Sequence, residues 1–282
     1  MKIILAEHFG MCFGVRDAIA EAEQLAAEGP LTVLGELVHN PVVRERLSGR
    51  GVREADLHDL GSAATPRVMI TAHGASDAQR QVWREAGFTV ADGTCPLVHR
   101  AHQQLRMLVQ RGYFPVVIGK PGHVEVRGLT GDFPQAVVVE RANDIAKLPT
   151  SASRFGVISQ TTQPIEHVRA LVDAIRRARP DAEVKFCDTV CQPTKDRQTA
   201  LQKLLATCDT VVVVGGKHSN NTRQLVDAAR AAGRRAIHIE RPDELAADSL
   251  RGAHTIGLTA GTSTLKETVA AVHERLLAMG AA

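Results

Sequence analysis

The sequence predicts an α/β fold built from three related modules, and three observations carry that prediction. Cys12, Cys95 and Cys191 stand 83 and 96 residues apart, each shortly after an apolar run and before a stretch that reads as helix. A second apolar run then ends in a glycine 23, 24 and 24 residues beyond the cysteine, at Gly35, Gly119 and Gly215. A histidine follows each glycine by four, four and three residues, as His39, His123 and His218. Near-constant spacing of this kind marks an internal repeat. The expected blocks are 1–95, carrying Cys12; 96–187, following Cys95; and 188–282, carrying Cys191 and ending in a C-terminal tail.

The elements follow in order. Ile3 to Ala6 reads as a short strand leading to Cys12. In the next helix Val15, Ala18, Ile19, Ala22 and Leu25 share one face at helical spacing, and Gly29-Pro30 stops it. Leu31 to Leu34 reads as a strand covered on both faces, as a parallel sheet requires. A polar helix is expected from about Val42 to Gly51, then a strand at Val68 to Ile70 ending in Thr71-Ala72-His73-Gly74. Phe88 to Ala91 leads to Cys95, and Pro115 to Ile118 repeats the second run. The link from Pro134 to Ser153 is expected to hold a strand at Ala136 to Val139 and a short helix. Gly156 to Ser159 ends in Gln160-Thr161-Thr162; Val184 to Phe186 leads towards Cys191. Val211 to Val214 and Ile256 to Ser263 complete the third copy, and an amphipathic helix from Leu265 to Met279 closes the chain.

Bulk properties exclude several classes. A net charge of +3 over 282 residues, with 3% aromatics and no basic run, gives no case for binding nucleic acid. No apolar run approaches the length of a membrane span, and the first run is too short for a signal peptide, so a cytoplasmic protein is expected. Five cysteines in such a chain do not suggest a disulfide framework. Cys187 and Cys208 lie outside the repeat and read as small buried residues.

In parallel sheets ligands bind beyond the carboxyl ends of strands, and each residue of interest here follows a strand. Each repeat cysteine also starts a helix, where the helix dipole favours a thiolate or an anionic cluster. Three thiolates on a pseudo-threefold axis match three corners of a [4Fe–4S] cube, which ordinarily takes four cysteines. One iron would then be left for substrate. A structural zinc site draws on close pairs such as C-x2-C, and no such pair exists here.

His39, His73 and His123 on three such turns favour a common site. Thr161, Thr162, Ser219, Asn220, Asn221, Thr222, Thr262 and Ser263 offer hydroxyl and amide groups suited to phosphate oxygens, although helix capping uses the same residue types. A small diphosphate or polycarboxylate fits such a pocket. Glu125 lies two residues from His123, and in an extended segment both would point the same way. It reads either as a proton donor with a raised pKa or as a solvated loop glutamate.

Taken together, these segments resemble a known family. The likeness runs through Gly10-Met11-Cys12-Phe13-Gly14-Val15, Val38-His39-Asn40, Ala72-His73-Gly74, Thr94-Cys95-Pro96-Leu97-Val98 and Gly122-His123-Val124-Glu125-Val126-Arg127-Gly128. It continues through Gln160-Thr161-Thr162, Asp188-Thr189-Val190-Cys191 with Arg197-Gln198, Ser219 to Asn221, and Thr259-Ala260-Gly261-Thr262-Ser263. The chain resembles the 4-hydroxy-3-methylbut-2-enyl diphosphate reductases, the LytB family.

That resemblance implies a trefoil of three α/β modules around one [4Fe–4S] cluster held by Cys12, Cys95 and Cys191, with one iron free of protein ligand. It implies reductive removal of the substrate's allylic hydroxyl, yielding isopentenyl and dimethylallyl diphosphate. By the same resemblance His39, His73, His123, Ser219, Asn221 and Ser263 hold the diphosphate, Thr161 orders the hydroxyl end and Glu125 delivers a proton. Ferredoxin or flavodoxin would supply electrons. Asn220 stands where many members have serine and keeps hydrogen-bonding capacity; Met11 replaces a common phenylalanine. Two rival readings are a quinolinate synthase-like three-cysteine enzyme and a non-catalytic iron–sulfur sensor. The first should lack the Gly-His-Val-Glu segment, and the second has no need of Glu125.

Overall fold

The computed structural model describes residues 1–281. It contains twelve strands and nine α-helices among those residues. In order, they are β1 (Lys2–Leu5), α1 (Phe13–Glu28), β2 (Thr32–Leu34), α2 (Pro41–Ser48), β3 (Arg53–Ala55), β4 (Arg67–Ile70), α3 (Asp77–Glu85) and β5 (Thr89–Asp92). Then come α4 (Pro96–Gln110), β6 (Phe114–Ile118), α5 (Val124–Gly131), β7 (Val137–Val139), β8 (Arg154–Ser159), α6 (Ile165–Ala178) and β9 (Glu183–Phe186). The last are α7 (Gln192–Leu205), β10 (Thr210–Val214), α8 (Asn220–Ala231), β11 (Arg235–Ile239), β12 (Thr255–Ala260) and α9 (Lys266–Ala281). The expected C-terminal tail is helical through Ala281, and Ala282 lies outside the described residues.

The strands form three parallel four-stranded sheets with the same order: β3-β2-β4-β5, β7-β6-β8-β9 and β11-β10-β12-β1. In each, the strand before a cysteine closes the sheet of the preceding block. β1 therefore takes in the third sheet the place that β5 and β9 take in the others, with Lys2 opposite Thr255 and Leu5 opposite Leu258.

The chain divides into two compact units. One comprises Met1–Arg16, Val38–Gly49 and Gln192–Ala282; the other comprises Asp17–Leu37 and Arg50–Cys191. The first contains the sheet closed by β1. There Val212 and Val214 pack with Val269, Val272 and Leu276 of α9, while Val211 and Val213 pack on the opposite face with Leu201, Leu225 and Val226. Alternate residues of a strand face opposite ways, so covering both faces requires an unbroken valine run. In the second unit β6 repeats the arrangement. Val116 and Ile118 meet Val168, Leu171 and Ile175 of α6, and Val117 meets Leu105, Leu108 and Leu129. The remaining sheet buries Leu34, Val68 and Ile70 with Trp83.

Two edge strands, β3 and β11, carry no unbroken apolar run to announce them; they bond through their backbones, and β3 leaves much of its side-chain surface in solvent. The segment from Gly122 to Gly128 is not extended. α5 begins at Val124, so Glu125 sits in the first turn of a helix capped by His123.

Candidate active site

The repeat is visible at atomic level around the cysteines. The backbone N–H of Cys12 donates to Thr262 O (3.0 Å), that of Cys95 to Ala72 O (3.1 Å) and that of Cys191 to Thr161 O (2.9 Å). Each acceptor lies two residues past the end of a central strand, β12, β4 or β8. A second equivalence fixes the glycines: the N–H groups of Gly35, Gly119 and Gly215 donate to Ala55, Val139 and Ile239, the last residues of the edge strands. All three repeat cysteines are half-buried, and none forms a disulfide among the described residues. Cys95 is the N-cap of α4, while Cys12 and Cys191 immediately precede α1 and α7. A thiol at a helix N-terminus is a soft, anion-favouring donor of the kind an iron–sulfur cluster takes. Cys12 lies in the first unit; Cys95 and Cys191 lie in the second. Among the described residues no three His, Cys, Asp or Glu side chains are grouped as a single metal ion would require. Cys208 is buried, as expected, but Cys187 is only half-buried.

Glu125 is the acid of the second unit. Its side chain is 1% exposed, which excludes the solvated-loop alternative. Oε1 accepts the N–H of Thr161 at 2.6 Å and Oε2 the Thr161 hydroxyl at 3.0 Å. Burial pushes its pKa up to about 7, against the opposing pull of the two Thr161 bonds. Thr161 thus touches both the acid, through its N–H and hydroxyl, and the Cys191 turn, through its carbonyl.

His123 does not reach Glu125 as two residues of a strand would. Instead its Nδ1 accepts the backbone N–H of Glu125 at 3.2 Å, capping α5. That bond leaves the ring proton of the neutral imidazole on Nε2. His73 meets His123 edge to face, ring centres 5.5 Å apart. The corresponding caps in the other copies are Asn40, whose Oδ1 accepts the N–H of Val42 (2.9 Å), and Ser219, whose hydroxyl accepts that of Thr222 (3.4 Å). The capping positions are therefore Asn40, His123 and Ser219, with His39 and His218 one residue earlier. His218 is exposed.

The first unit gathers His39, Ser219, Asn220, Asn221 and Ser263. Asn221 Oδ1 accepts the N–H of Thr262 (3.2 Å), and Asn40 donates from Nδ2 to Ser263 O (2.9 Å). Gly216 meets the His39 turn so closely that a Cβ there would lie 2.0 Å from the His39 carbonyl oxygen. Ser263 is 4% exposed, and its hydroxyl has no hydrogen-bond partner among the described residues. A buried hydroxyl left in that state is costly, and a ligand oxygen would satisfy it. Asn40 escaped the sequence reading, although an asparagine before a helix-starting proline is itself a cap signal.

Fold and site together define an α/β protein of three parallel sheets, with a cysteine at each repeated strand-to-helix turn and a buried acid joined through threonine to one of those turns. The chain belongs to the LytB protein family, whose model matches residues 3–277. It is 35% identical to the 4-hydroxy-3-methylbut-2-enyl diphosphate reductase of Aquifex aeolicus over 282 residues, 98% of this chain and 96% of that one. It is 37% identical to the enzyme of that name from Dehalococcoides mccartyi over 276 residues, 96% of each chain. Among solved structures, the E-1-hydroxy-2-methyl-but-2-enyl-4-diphosphate reductase of Plasmodium falciparum superposes with a TM-score of 0.90 at 28% identity, covering 97% of this chain and 87% of that one. A structure described as (E)-4-hydroxy-3-methyl-but-2-enyl diphosphate reductase, the terminal enzyme of the non-mevalonate pathway, gives 0.70 at 34% identity, covering 98% and 99%.

Proposed function

We propose that this chain is a 4-hydroxy-3-methylbut-2-enyl diphosphate reductase. The reaction breaks the allylic C–O bond, consumes two electrons and two protons, and releases water with isopentenyl or dimethylallyl diphosphate. The observation that carries this reading is the Glu125–Thr161–Cys191 chain. It presents an acid with a pKa of about 7 beside the turn of a cysteine that starts a helix. Such an acid keeps about half its protons at neutral pH and suits delivery of a proton to a leaving hydroxyl. A sensor would have no use for it.

Cys12, Cys95 and Cys191 would hold one [4Fe–4S] cluster per chain. When bound, it supplies the electrons and an iron without a cysteine ligand that acts as a Lewis acid towards the substrate hydroxyl. The protein residues bind and orient. His39, Ser219, Asn220, Asn221 and Ser263 offer donors to the diphosphate, and His73 and His123 add imidazoles. The Ser263 hydroxyl gains the acceptor it lacks. Thr161 holds Glu125 by two bonds and orders the hydroxyl end of the substrate. Electrons would come from a small ferredoxin- or flavodoxin-type carrier.

The test is iron and acid-labile sulfide per chain after anaerobic purification, followed by turnover with the allylic diphosphate. About four of each and reductive loss of the hydroxyl are expected, and Cys95→Ser should abolish the iron. Zinc in place of iron, or a cluster with no turnover, would defeat the proposal.

A further inference from the structure

The three cysteine turns are braced differently, and the difference singles out one residue. Before Cys95, Asp92 Oδ1 accepts the N–H of Thr94 at 3.1 Å, and buried Arg80 donates from Nη2 to the Thr94 hydroxyl at 3.0 Å. Before Cys191, Asp188 Oδ1 accepts the N–H of Val190 at 3.1 Å, and the Thr189 hydroxyl donates to Ser159 O at 2.6 Å. Each of these turns thus carries its own aspartate, three residues before the cysteine.

The Cys12 turn has no such aspartate; Phe9-Gly10-Met11 fills the place. Gly10 adopts a positive φ of 71°, a conformation a side chain resists. Its carbonyl points to Arg197, which donates to it from Nε (3.2 Å) and from Nη2. The guanidinium also donates from Nη1 to Pro193 O at 2.6 Å and is 5% exposed. Arg197 lies on α7, the helix that begins directly after Cys191. One rigid fork therefore fixes the turn into Cys12 against the first turn of the next cysteine's helix.

We propose that Arg197 is a positioning residue for Cys12: its two-pronged bond to Gly10 O takes the place of the missing aspartate and holds the thiol where a ligand to the cluster must stand. This rests on the cluster reading. The geometry calls for arginine, because a lysine ammonium cannot match the planar fork.

The test measures alkylation of each cysteine by iodoacetamide in the full-length, metal-free chain, resolved by peptide mass spectrometry. Release by a chelator of iron from reconstituted protein is followed alongside. Arg197→Met and the gentler Arg197→Lys should both speed alkylation of Cys12, by about tenfold for Met, the order expected when a buried charge-assisted bond closing a local opening is lost. Cys95 and Cys191 should be unchanged, and reconstituted iron should leave faster. Arg80→Met should give the mirror result at Cys95. An unchanged Cys12 rate, or equal acceleration at all three cysteines, would overturn the proposal. Cys12-selective acceleration in a chain that takes up no iron, in wild type as well as variant, would uphold the brace and sink the cluster reading instead.

Discussion

Glu125 and His102 are both buried, and burial moves their titrations in opposite directions. Glu125 is raised from 4.5 to about 7, so below pH 4.5 both folded and unfolded chains hold its proton and nothing is lost. As pH rises from 4.5 to 7 the unfolded chain ionises first, and the fold loses roughly 3 kcal/mol at ~1.4 kcal/mol per unit. His102 is lowered from 6.5 to about 4, mainly by burial and then by nearby Arg80. Its contribution is intact above 6.5 and is lost as pH falls towards 4, by a similar amount. Between 4.5 and 6.5 the two nearly cancel. Glu125→Gln should therefore be more stable than wild type at pH 8, by chemical denaturation, and steeply less stable on acidification. Replacing His102 with glutamine should leave a fold that weakens as pH rises. Turnover of the wild type should fall as pH rises through about 7, and Glu125→Gln should lose on the order of 10²-fold or more in kcat at every pH. A Glu125→Gln enzyme with normal kcat would end the proton-donor role. At this scale the sequence exposed the residue types but not their surroundings. The partner that holds buried Glu125 is Thr161, 36 residues away, and no local pattern links them.

Among the elements, the turns after the second strands repay study most. Gly216 has no room for a methyl group beside the His39 carbonyl. Gly216→Ala must push that turn aside, so KM for the diphosphate should rise by about tenfold or more with a smaller change in kcat, the pattern of lost uniform binding. Steady-state kinetics would show it, and an unchanged KM would exclude His39 from the substrate. The central strands and the helices after the cysteines could be read from sequence because covering a strand on both faces leaves an uninterrupted apolar run. β3 and β11 could not, since edge strands need only backbone pairing. The helix at Val124 was hidden by its cap. Histidine is an uncommon N-cap, and Gly122-His123 reads as loop until the bond from Glu125 N–H to the ring is seen.

Over the whole molecule, the identical strand order of the three sheets makes the position of the chain ends arbitrary. A Cβ on Gly280 would lie 3.1 Å from Met1 Cε, so the ends can be joined by a short linker. A permuted chain opened between Gly87 and Phe88 would begin with β5, placed towards β4 as β1 is towards β12. It should fold and load iron as the parent does; failure to do either would show that the sheets are not interchangeable. The repeat was legible in the cysteine and glycine spacings. The one-strand offset between repeat and sheet was not, because a strand's sequence does not say which neighbour it will join. That offset also sets a timetable. On the ribosome Lys2–Leu5 is made long before its hydrogen-bonding partner Thr255–Leu258. That strand must wait, unpaired, while the two other sheets are made. Completion of the third sheet thus waits for β12, and a chain stalled before β12 carries an open strand that chaperones must shield.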